Sequence, residues 1–77
     1  MKAEKIKKQL DQCRSFEEFF VKASVLTVGR GVKHLTKLRR VVSSYRDKYD
    51  HNAMVYLLNS IDTERAFVCL VKEKQEV

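Results

Sequence analysis

The side chains best equipped for chemistry are Arg30, Lys33, Lys37, Arg39, Arg40, Arg46 and Lys48, seven cations in nineteen residues that hold a single acid, Asp47. At that density lysine and arginine do one thing well: they bind anions, the guanidinium as a planar fork and the ammonium as a point charge. Their spacing sharpens the reading. Lys33, Lys37, Arg40, Ser44 and Lys48 recur at steps of four, three, four and four, while Leu35, Leu38, Val42, Tyr45 and Tyr49 recur at three, four, three and four. On a helix of 3.6 residues per turn these are two opposed stripes, one to be buried and one to meet anions. Arg30 lies just off the basic line, and Arg39 and Arg46 flank the apolar side.

Other chemistries lack the necessary residues or spacing. Cys13, Cys69, His34 and His51 contain no pair with the short separation of a zinc site, and two isolated thiols read as buried hydrophobes rather than a disulfide. Cys13, His34 and Asp50 could form a nucleophile and base only by an assembly that nothing in their spacing indicates, so no catalytic residue, enzyme activity or cofactor is expected. Gly29-Arg30-Gly31 falls short of a dinucleotide fingerprint, which needs a third glycine and a preceding strand, and of a P-loop, which needs a lysine and a hydroxyl. Amides opening a helix beside Arg30 and Lys33 remain suited to one phosphate.

The elements that must position these cations are helical. The chain has no proline and two glycines, which leaves little of the turn chemistry that β-rich folds use. Residues 2–12 predict a short helix with Ala3, Ile6, Leu10 and Cys13 on its apolar stripe. Ser15-Phe16-Glu17-Glu18 is a capping box, in which the Ser15 hydroxyl takes the Glu18 amide and the Glu18 carboxylate reaches back to the Ser15 amide. Phe16, Phe19, Phe20, Ala23 and Leu26 then mark a helix whose phenylalanines form the centre of the core. Gly29 ends it, and the basic helix is expected over residues 32–49.

Helix, glycine turn, longer basic helix is the order of a helix-turn-helix unit, here at residues 15–49, with Val25, Val28, Gly29, Leu35 and Leu38 at packing positions. Asp50-His51-Asn52 supplies a further helix start. Ala53, Met54, Leu57, Leu58 and Ile61 make one apolar face, and Ala66, Phe67, Leu70 and Val71 another pointing nearly the opposite way. That mismatch predicts a break at residues 60–63 and two short helices. The fold class is therefore mainly α, a compact bundle of four to five short helices. The alternative is three helices with a C-terminal β-hairpin, a winged arrangement in which MVYLL and AFVCLV are strands.

Seventy-seven residues predict a single domain over 1–77 with a thin core and a frayed tail at 72–77. No apolar run approaches a membrane span, and the charged N-terminus lacks the apolar core of a signal peptide, so an intracellular, cytoplasmic protein with no membrane partner is expected. The net charge of +6 is a patch: residues 22–48 carry +7 and the remainder −1. Such a local field draws phosphates or an acidic protein surface. The favoured reading is a small DNA-binding, regulatory protein, acting on transcription as a homodimer. In it Arg30, Lys33, Lys37, Thr36 and Arg40 lie nearest the bases, and Arg39, Arg46 and Lys48 on the backbone. The alternative is an interaction module or inhibitor whose basic face grips an acidic partner protein, with Tyr45, Tyr49 or Tyr56 as buried anchors beside the charges.

Overall fold

The computed structural model describes the backbone of residues 2–75 and the side chains of residues 2–71. Within these bounds there are four helices, α1 (Ala3–Asp11), α2 (Phe16–Thr27), α3 (Val32–Ser43) and α4 (His51–Gln75), and no strand. The winged alternative is thus overturned, since MVYLL and AFVCLV both lie within α4. Of the expected frayed tail, residues 72–75 have helical backbone and 76–77 lie outside the described residues.

Local signals set the starts of the helices. The Glu18 amide donates to Ser15 Oγ at 3.2 Å, as the capping box requires, but the Glu18 carboxylate takes the amide of Arg14 at 2.7 Å instead of that of Ser15. The bracket is one residue wider than expected and still satisfies an exposed donor ahead of the helix. Asp50 caps α4, its carboxylate accepting from the Ala53 amide at 3.1 Å. Gly29, at φ 70°, takes the left-handed conformation that lets the chain leave α2 and turn towards α3.

Two expected boundaries are wrong, for different reasons. The basic helix ends at Ser43, not Tyr49. From there the backbone tightens into i→i+3 bonds, with the amides of Ser44, Tyr45, Arg46 and Lys48 donating to Val41, Val42, Ser43 and Tyr45. Ser44 Oγ also donates to the Val41 carbonyl at 2.6 Å, competing with the helical partner that carbonyl would otherwise take. The second correction concerns residues 60–63, where no break occurs. Ser60 and Thr63 donate back to the carbonyls of Tyr56 and Asn59 at 3.0 and 2.8 Å, so their hydroxyls are satisfied inside a continuous helix of 25 residues.

The conflict between the two apolar faces of α4 is resolved by leaving one unburied. Met54, Leu57 and Ile61 enter the core, while Phe67 and Leu70 stay 61% and 58% exposed. Cys69 shares this exposed end, contrary to its expected burial; Cys13 is half-buried, and both thiols are free.

One apolar cluster holds the helices together. It takes Ile6 and Leu10 from α1, Phe19, Ala23 and Leu26 from α2, Leu35, Leu38, Val41 and Val42 from α3, Tyr45 from the turn, and Met54, Leu57 and Ile61 from α4. Ala3, expected on the α1 stripe, is exposed. Phe19 sits 5.1 Å from the Tyr45 ring and 4.8 Å from the Tyr49 ring, in tilted and edge-on geometries that suit aromatic quadrupoles. Phe16 and Phe20 pack at the margin. The Tyr45 hydroxyl donates to the Asp11 carboxylate and lies 3.2 Å from the Lys7 carbonyl, tying the turn after α3 to the end of α1. Burial, together with that hydrogen bond and the Asp11 charge, pushes the Tyr45 hydroxyl well above its ordinary pKa.

Candidate nucleic-acid interface

Because α3 packs against each of the other three helices, only one strip of it reaches solvent. Lys33, Thr36, Lys37 and Arg40 occupy that strip and are exposed. The Thr36 hydroxyl donates to the Val32 carbonyl at 2.9 Å, which leaves its lone pairs directed outward. With Val32 these four residues line a shallow hollow of about 360 Å³. Arg30 is exposed on the turn before α3, between Gly29 and the N-cap Gly31.

The remaining candidates are placed otherwise. Arg39 turns towards α4 and its Nε donates to Asp62 Oδ1 at 2.8 Å, so it is partly neutralised and half-buried. Arg46 lies on the turn and folds back to Ser43, 3.4 Å from the carbonyl and 3.3 Å from the hydroxyl. The Lys48 ammonium lies 5.9 and 5.5 Å from the ring centres of Tyr45 and Tyr49. Since α3 stops at Ser43, neither Arg46 nor Lys48 continues the basic stripe of the helix. Of the seven expected cations, Lys33, Lys37 and Arg40 share one exposed strip of α3, Arg30 is exposed on the turn before it, Arg46 and Lys48 are exposed on the turn after it, and Arg39 is half-buried on the side facing α4.

One cation escaped the sequence reading. Arg65, in the acid-containing run Asp62-Thr63-Glu64-Arg65 of α4, faces α3 and reaches Thr36 Oγ1 at 3.5 Å and Asp62 Oδ1 at 3.5 Å. Arg65, Arg39, Arg40, Thr36 and Ser43 line a second hollow of about 290 Å³ that shares Thr36 and Arg40 with the first. The two together form one basic furrow along α3. The Asp62–Arg65 spacing of i, i+3 was visible in the sequence, but only the packing of α4 on α3 brings the pair to this surface.

The turn preceding the furrow is held by His34. Its Nε2 donates to the Leu26 carbonyl at 2.9 Å, one of the acceptors in the last turn of α2, and so joins α2 to the first turn of α3. Burial, helped by the nearby charges of Arg30 and Lys37, lowers the His34 pKa below its ordinary 6.5 although the Leu26 hydrogen bond opposes this, and the ring is neutral at pH 7.

Of the order expected for a helix-turn-helix unit, a helix, a glycine turn and a basic helix are present, but the basic helix is not the longer one. Val25 and Val28 are 63% and 73% exposed, while Leu35 and Leu38 are buried. The longest helix is α4, and α3 equals α2 at 12 residues. The anchors expected for a protein partner also move: Tyr45 is in the core, Tyr49 is half-buried against the phenylalanines, and Tyr56 stays exposed with its ring 6.1 Å from that of Phe20. Among the described residues no three His, Cys, Asp or Glu side chains converge as metal ligands, and no helix is long and apolar enough to cross a membrane. No protein-family model, curated protein or solved structure matches this chain.

Proposed function

We propose that this is a small, intracellular, non-enzymatic nucleic-acid-binding protein, acting on duplex DNA in a regulatory role through the solvent-facing strip of α3. The observation that carries the reading is the furrow: Lys33, Lys37 and Arg40 are exposed on one face of a helix whose other faces are packed, and none of the three makes an ion pair among the described residues. A rigid, unpaired basic strip suits phosphate groups, each neutralisation releasing condensed counterions. Arg30, Lys33 and Lys37, near the start of α3, would lie closest to base edges if the helix enters the major groove.

For the competing reading, an acidic protein partner, two of the three expected anchors, Tyr45 and Tyr49, are engaged inside the molecule, while Tyr56 stays 65% exposed. Protein interfaces draw most of their energy from buried anchors beside the charges. Here the charged strip has Val32 as its apolar neighbour.

The test is an electrophoretic assay against duplex DNA, single-stranded DNA and RNA at two salt concentrations. Replacing Lys37 and Arg40 together with alanine is expected to weaken duplex binding and to reduce the logarithmic salt slope by about 2, close to one per lost phosphate contact. An unchanged shift and slope from a double variant of unchanged helicity would refute the reading.

A further inference from the structure

We propose that the notch between α3 and α4 seats a single phosphate group, with Arg40 and Arg65 as its anion-binding side chains and Asp62 as the residue that positions Arg65. The inference rests on the nucleic-acid reading for the source of that phosphate, a backbone phosphodiester, and adds to it a second helix and a defined seat.

The notch brings three guanidinium groups and two hydroxyls around a hollow of about 290 Å³, with Asp62 the one carboxylate engaged by these cations among the described residues. Asp62 Oδ1 accepts from Arg39 Nε at 2.8 Å and lies 3.5 Å from Arg65 Nη2. It therefore compensates one of three positive charges and leaves a surplus. The pair is too exposed to matter much for stability: with side-chain exposures of 40% and 34%, solvent screens most of its attraction.

Its effect is geometric. Asp62 Oδ1 lies 3.5 Å from Nη2 of Arg65, while Nη1 of the same guanidinium lies 3.5 Å from Thr36 Oγ1, so both contacts bias the planar fork towards the side of the hollow that it lines. Arg40 lines the same hollow and makes no ion pair among the described residues. Two guanidinium forks lining one small space, beside the Ser43 and Thr36 hydroxyls, match the acceptor oxygens of a phosphate better than the broad face of an acidic protein.

The experiment compares wild type with Arg65→Ala, Arg40→Ala, Asp62→Asn and the control Arg14→Ala, an exposed arginine on the loop before α2. Two probes are used: a short random-sequence DNA duplex, followed by fluorescence anisotropy as salt is varied, and inorganic phosphate, followed by the Nε–Hε resonances of the arginines. Arg65→Ala and Arg40→Ala are each expected to weaken duplex binding about tenfold and to lower the salt slope by about 1, while Arg14→Ala does neither. Asp62→Asn removes a negative charge and yet is expected to weaken binding, with Asp62→Glu restoring it; tighter binding by Asp62→Asn would show charge alone at work and overturn the positioning role.

Strong duplex binding that Arg65→Ala leaves as unchanged as Arg14→Ala does would overturn the seat and leave the nucleic-acid reading intact. Shifts of the Arg40 and Arg65 resonances with phosphate, in a protein that ignores the duplex, would support the seat and overturn the nucleic-acid reading, the source then being a free phosphate. A response to neither probe overturns both.

Discussion

At the scale of single residues, the molecule separates cations that the sequence presents as equals. Arg39 and Arg40 are neighbours, yet a rotation of about 100° per residue sends one into an ion pair with α4 and leaves the other in solvent. His34 is the residue whose ionisation is expected to show most clearly in stability. Its folded pKa lies below 6.5, so the unfolded chain takes up the proton first as the pH falls. The stability that His34 contributes is therefore fully present above its ordinary pKa and is lost as the pH drops through that value and on through the lower folded one. Urea midpoints measured from about pH 7 to about pH 5 are expected to fall more steeply for wild type than for His34→Gln, which keeps a donor but does not titrate. Parallel curves for the two proteins would remove His34 from that role.

At the scale of elements, the starts of the four helices and the ends of α1 and α2 were legible, while the end of α3 and the continuity of α4 were not. Ser15 and Asp50 cap through their own side chains and nearby amides, a purely local arrangement that spacing reveals. The end of α3 depends on whether Tyr45 and Tyr49 reach the phenylalanines by continuing the helix or by tightening the backbone, and both routes present the same periodicity. The continuity of α4 depends on how much apolar surface the rest of the molecule can cover. The turn between α2 and α3 permits a direct check. A Cβ at Gly29 meets nothing within 4 Å, so Gly29→Ala tests the left-handed backbone alone and is expected to cost about 1 kcal/mol. Gly31→Ser, at an N-cap with extended backbone and open space, is expected instead to stabilise by about 0.5 kcal/mol. Equal urea midpoints for Gly29→Ala and wild type would mean that the turn does not hold that geometry in solution.

At the scale of the whole molecule, α4 is the element out of proportion. At 1.5 Å per residue its 25 residues extend about 37 Å, against a longest dimension of 44 Å for the protein. Its last described turns, with Phe67, Leu70 and Val71, project more apolar surface than one small core covers. The homodimer expected from the sequence would have to cover such a face, and the exposed end of α4 is where it is tested. Light scattering on wild type is expected to give a dimer, and the Phe67→Glu/Leu70→Glu variant a monomer of similar helicity, since two carboxylates cannot be buried there without partners. A wild-type monomer at high concentration would end that proposal. The furrow on α3 lies along the same packing of α3 with α4, so loss of affinity in that variant without loss of fold would point to two furrows acting together.

By itself the sequence determined that the chain is helical, where its four helices begin, which phenylalanine-bearing face is buried, and that positive charge is concentrated on and around α3. These follow from short-range rules: the 3.6-residue period, side chains capping amides a few residues away, and the absence of proline. Only the tertiary structure decided which cations lack an ion-pair partner among the described residues, that Arg65 lines the same furrow, and that α4 runs unbroken with one apolar face uncovered. Each of those outcomes depends on which surfaces meet across distances of 20 to 30 residues in the chain, as Arg39 meets Asp62 and Thr36 meets Arg65. Such pairings are set by the shared burial of a core and leave no local mark in the order of amino acids.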